Sequence, residues 1–163
     1  QGRAYMNVLV LLGKKLGIYL AAVFTAYLLA VAAATQHVAG RLAAMGVEVD
    51  ISQRLAMTAS DLFGMAGMFL PIIAFGLLIA FLVTALLCRW LPRWRTPLYV
   101  LAGASALLCI HVALHQAFGL TPIPAARTMA GLFLQGLAGA AGGFVYITLN
   151  LRVFHDSPFA IAE

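Results

Sequence analysis

The chain has 163 residues, of which 64% are hydrophobic and 9% charged, and a net charge of +5. A soluble domain carries roughly 25% charged residues and could not hide this much apolar surface at this length, so composition argues against a water-soluble fold and for lipid as the solvent. The basic residues sit in clusters beside apolar runs rather than in one patch, which points to orientation in a bilayer and away from nucleic acid as a partner.

Gln1 and Gly2 read as the remnant of a cleaved tag and Met6 as the native start, so residues 1–5 carry no functional argument. No signal peptide is expected, because the first apolar run is long and no small-residue cleavage site follows it. About 20 apolar residues cross the hydrocarbon layer as a helix. Four stretches qualify, at about 16–34, 62–88, 98–118 and 128–149. They do not alternate every second residue as barrel strands would, so helices are the solution that satisfies the backbone in lipid. The fold expected is all-α: one membrane domain, a four-helix bundle.

Between the first two spans, residues 37–61 form the one sizeable segment outside the apolar runs. Asp50 with Gln53 three residues on is a helix-start pattern. Ile51, Leu55, Ala59 and Leu62 then share a face. The segment is expected to hold a short amphipathic helix, lying on the outer surface or leading into the second span. Pro71 lies within that second span, where its missing N–H favours a kink. Between the second and third spans, Arg89, Trp90, Pro92, Arg93, Trp94, Arg95 and Pro97 make a tight basic, aromatic turn, suited to anchoring at the membrane interface and secondarily to binding anionic lipid.

Lys14, Lys15, Arg89, Arg93, Arg95 and Arg152 fall on one side of the expected membrane, against Arg41, Arg54 and Arg127 on the other. The first set should face the cytoplasm, which gives a multi-pass protein of a bacterial inner membrane with both termini inside. Cys88 and Cys109 lie in apolar runs without metal-type spacing and read as small packing residues.

The fourth span holds a row of small residues: Gly131, then Gly136 and Ala140, Ala138 and Gly142, Gly139 and Gly143, each of the three pairs four residues apart. Such rows let helix backbones approach closely, within the chain or between subunits of a homo-oligomer or larger complex. In the third span His111 and His115 share one helix face. Two imidazoles can meet a metal, but a zinc site wants about three or four protein ligands and a haem between helices an axial ligand from another span, so no cofactor is expected. His111 lies ~10 Å inward from the outer end of its span and Gln135 ~12 Å inward from the outer end of the next, by the helical rise. They should therefore sit at one level, facing the interior and hydrogen-bonded directly or through water, because an unpaired polar group in hydrocarbon is costly. Arg127, after the stiff Thr121, Pro122, Ile123, Pro124 entry, sits on the outer side at a helix start, where a cation is disfavoured. Asp61 is its expected partner, with a lipid phosphate as the alternative.

The chain carries no nucleotide loop, zinc-protease helix or nucleophile elbow, and no acid central in a span. The preferred reading is a non-enzymatic membrane scaffold or accessory subunit associating through small-residue faces. The second is a lipid or hydrophobic-ligand binding or transport protein, with a site in the outer half formed by His111, His115, Gln135, Arg127 and Asp61. The third is a metal or haem protein using the His pair.

Overall fold

A computed structural model describes residues 2–119 and 124–155. It contains four α-helices: α1 Gly2–Ala44, α2 Ile51–Leu87, α3 Arg95–Phe118 and α4 Met129–His155. All four are long and apolar enough to cross a membrane. Each packs antiparallel against two neighbours, in the ring α1, α2, α3, α4 and back to α1. Matched pairs fix the α1–α4 register: Ala22 meets Gly142, the Ala30 carbonyl meets Gln135, and His37 meets Thr128.

The helices outrun the apolar stretches. α1 has 43 residues and α2 has 37, so at 1.5 Å per residue they measure ~65 Å and ~55 Å, against a hydrocarbon layer of ~30 Å. Lys14 and Lys15 interrupt hydropathy but not the helix, since lysine is a good helix former. Of the two placements expected for the amphipathic helix of segment 37–61, the one leading into the second span is found, and no separate surface helix lies between α1 and α2. Residues 37–44 finish α1, residues 51–61 begin α2, and only 45–50 connect them. α1 stops in a Schellman motif: Gly46 takes φ +83°, Val47 N–H donates to Leu42 O at 3.1 Å, and Gly46 N–H donates to Ala43 O at 3.0 Å. α2 starts as the Asp50 pattern predicts. Asp50 is the N-cap, its own N–H donates to Gln53 Oε1 at 3.1 Å, and its carboxylate accepts from the Ser52 hydroxyl at 2.8 Å. Those bonds, the Ser52 hydroxyl first and then the Ile51 and Ser52 amides, hold the Asp50 carboxyl below its ordinary pKa. α2 runs on through Pro71, whose ring is exposed.

The core is built from i, i+4 stripes. α1 offers Ala22, Ala26, Ala30 and Ala34, and α2 offers Phe69, Ile73, Leu77 and Phe81, all buried. α4 lies against α3 and α1 through its small residues. A Cβ on Gly139 would stand 2.1 Å from Gly103 O, one on Gly103 would stand 2.1 Å from Gly139 O, and one on Gly143 would stand 2.1 Å from Tyr99 O. Each carbonyl occupies the place where the facing side chain would begin, the arrangement of a Cα–H···O contact. On the α1 side, a Cβ on Gly142 would meet Ala22 O and Ala26 Cβ at 2.9 Å. The glycine row is thus used inside the chain. Gly136 faces Leu108 at ordinary contact distance, and Gly131 is buried in the first turn, where its N–H donates to Thr128 Oγ1 at 3.0 Å.

Candidate functional site

The two ends of the bundle differ in chemistry. At one end, which holds the α1 C-terminal half, the α2 start, the α3 end and the α4 start, polar side chains link the helices. Thr35 on α1, 1% exposed, donates to Asp61 on α2 at 2.7 Å. Gln36 donates to Thr58 at 3.3 Å, and His37 Nε2 and Thr128 Oγ1 lie 3.0 Å apart. Thr128 supplies the side-chain cap of α4, its Oγ1 accepting from the Gly131 N–H.

His111 and Gln135 do sit at one level inside this half, 2% and 0% exposed. Phe69 of α2 covers the imidazole, with ring centroids 5.9 Å apart. A direct hydrogen bond of ordinary geometry does not join the two. Gln135 is close enough to act on the ring, but its Nε2 donates instead to Ala30 O at 2.9 Å. Its Oε1 and both His111 ring nitrogens are left without a hydrogen-bond partner among the described residues. α4 faces α1 as well as α3, and the amide N–H goes to a carbonyl of α1. A buried polar group without a partner costs about 1–3 kcal/mol, so three such atoms around one point are an unusual concentration.

Beside them a cleft of about 250 Å³ opens between α3 and α4, lined by His111, His115, Arg127, Val112, Ala126 and Leu132. Three of the residues singled out from sequence, His111, His115 and Arg127, thus border one space, with Gln135 behind His111. Asp61 is not among the residues that line it; its carboxylate accepts from Thr35, a pairing visible only once α1 and α2 are seen to be antiparallel neighbours. The Pro122 part of the stiff entry to α4 lies outside the described residues. Among the described residues no third metal-capable side chain joins the two histidines.

At the opposite end the floor is aromatic. Phe81 and Tyr146 stack with centroids 4.4 Å apart, and Tyr99 closes the trio at 5.1 Å and 5.6 Å. Above it a second cavity of about 350 Å³ lies between the α2 C-terminus, the α3 start and the last turns of α4, with Arg89, Arg95, Tyr99 and Asn150 in its lining. Sequence reasoning found the arginines but not the cavity, because Asn150 and the depth of the gap depend on how the helix ends meet. Comparison of the chain with family models, with curated proteins and with solved structures finds no match.

Proposed function

We propose that the chain is a multi-pass protein of a bacterial-type inner membrane, both termini cytoplasmic, which binds an amphiphilic ligand in the cleft beside His111. Four helices of spanning length and hydropathy support the membrane reading, and six of the basic residues gather at one end of the bundle and support the orientation. The observation that carries the ligand reading is the buried His111 ring, without a hydrogen-bond partner and bordering an open cleft. A neutral imidazole offers one donor and one acceptor, and the Gln135 amide oxygen offers a further acceptor. Arg127 adds preference for an anionic or strongly dipolar head, while Val112 and Leu132 suit an apolar continuation. The cleft is small for a whole drug-sized molecule, so it suits a head or a short ligand segment.

The scaffold reading loses the surface on which it rested most, since Gly139, Gly142 and Gly143 already face α3 and α1. Native mass spectrometry of the protein released from detergent separates the readings. A stoichiometric organic adduct that His111→Leu and Arg127→Gln both shed is the expected result. A bare homo-oligomer would return the scaffold to first place, and a metal adduct or visible absorption would favour the His pair as ligands.

A further inference from the structure

The cavity at the arginine end carries an inference independent of the His111 cleft. Arg89 follows the end of α2, Arg95 opens α3, and Asn150 lies on α4; all three line the same 350 Å³ space. Arg93, in the same turn, does not. The acids Glu48, Asp50 and Asp61 belong to the α1–α2 hairpin at the opposite end, so no carboxylate among the described residues shares this cavity. The carbonyls that end α2 are turned to other use: Thr84 O accepts from Cys88 N–H at 2.8 Å, Leu86 O from Arg89 at 3.2 Å and Leu87 O from Trp90 at 3.0 Å. The Leu86 and Leu87 carbonyls at the end of the helix are thus bonded within the turn. α3 begins here with no side-chain cap, leaving the positive end of its dipole on the cavity side.

We propose that this cavity is a phosphate-binding site, in which Arg89 and Arg95 converge on the phosphoryl oxygens and Asn150 donates a third hydrogen bond. Guanidinium forks match phosphate geometry, and two of them approaching from separate helices fix its position in a way a surface charge does not. Trp90 and Trp94, both exposed, lie in the same turn between Arg89 and Arg95, as suits a site at the level of lipid headgroups. The phosphate is that of an anionic phospholipid or of a soluble phosphate compound.

Native mass spectrometry in detergent tests it, with added dioleoylphosphatidylglycerol, with dioleoylglycerol as the phosphate-free counterpart, and with millimolar inorganic phosphate as competitor. Wild-type protein is expected to retain one phosphatidylglycerol per chain and to discriminate against dioleoylglycerol. The Arg89→Gln, Arg95→Gln double variant should lose about tenfold in retention, the effect of removing charge-assisted hydrogen bonds, while Arg93→Gln retains wild-type binding. Both arginines are exposed, so their replacement leaves the helix packing in place. Asn150→Asp, which keeps both arginines and adds a negative charge, should abolish retention. Displacement by inorganic phosphate would identify the soluble source, and retention in its presence would identify the lipid. Equal loss with Arg93→Gln, equal retention of dioleoylglycerol, or unchanged retention by Asn150→Asp would overturn the site and reduce the turn to diffuse charge.

Discussion

α4 and α2 are held in the same bundle by opposite means. α4 approaches α3 and α1 through its glycines, Gly139 against Gly103, Gly143 against the Tyr99 carbonyl, and Gly142 against Ala22 and Ala26. α2 meets its neighbours through Phe69, Ile73, Leu77 and Phe81, and through two tyrosine hydroxyls of α1: Tyr19 donates to Ala74 O, and Tyr27 donates to Leu62 O at 2.5 Å. Of its most apolar window only 22% is buried inside the bundle, against 39% for α1 and α4. Where lipid is the surroundings, apolar side chains gain little by leaving it, so close van der Waals approach and interhelical hydrogen bonds decide association. The small-residue seam supplies the first and the tyrosines supply the second. The seam should therefore tolerate no added atom, whereas the α2 interface should tolerate reshaping but not loss.

The largest effect expected is from Gly139→Leu. Its Cβ alone would fall 2.1 Å from the Gly103 carbonyl, and the neighbour is backbone, which cannot rotate aside. The loss should reach or exceed the ~3 kcal/mol upper range of ordinary overpacking, read as a fall in the denaturing detergent fraction at half unfolding. A variant that unfolds like wild type would refute the backbone contact. Next comes Ile73→Ala on α2, fully buried, with a loss of about 2 kcal/mol from the cavity created. Ile73→Leu should lose less than ~1.5 kcal/mol as a volume-conserving change. If the isosteric change proved as damaging as the deletion, the two interfaces would not differ in kind.

A smaller shift of opposite sign should follow His111→Leu. Removing two buried ring nitrogens without partners should raise stability by about 1 kcal/mol while abolishing ligand retention, and a fall in stability would mark the ring as a packing element instead. Gly67→Ala, on the open face of α2 with nothing near the added methyl, should stabilise by up to ~1 kcal/mol through helix propensity. The mildest effect belongs to the first turn of α2. The Asp50 carboxyl is lowered in the folded chain, so its contribution is present above the unfolded value of about 3.9 and is lost as pH falls through the lower folded value. Amide exchange at residues 51–54 should quicken in that acid window in the wild type and not in Asp50→Asn.

The apolar runs marked all four helices because crossing length and hydropathy are properties of single segments. Their ends were harder to place: Lys14, Lys15 and the run from His37 to Ala44 are polar enough to leave a hydropathy window yet contain nothing that stops a helix. The common depth of His111 and Gln135 was legible from helical rise. That the Gln135 amide N–H goes to the Ala30 carbonyl was not, because counting residues says nothing of α1. Likewise the glycine row on α4 announced a close approach, while its partners Gly103 and Tyr99 on α3 and Ala22 on α1 depend on register between helices. The hydrogen bond from Thr35 of α1 to the Asp61 carboxylate was not legible either, because it depends on how α1 and α2 pair.

The glycine seam also has a consequence for when its disorder is surrendered. A residue without rotamers loses no side-chain entropy on burial, whereas each immobilised Leu or Ile gives up roughly 0.5–1 kcal/mol. The backbone freedom that glycine forfeits is lost earlier, when α4 first becomes a helix, because a chain in hydrocarbon must satisfy its own amides before it meets a neighbour. Gly103, Gly139 and Gly143 thus separate the two losses in time: at these three positions docking α3 onto α4 has no side-chain freedom to extinguish, while the long side chains of α2 still have theirs to lose.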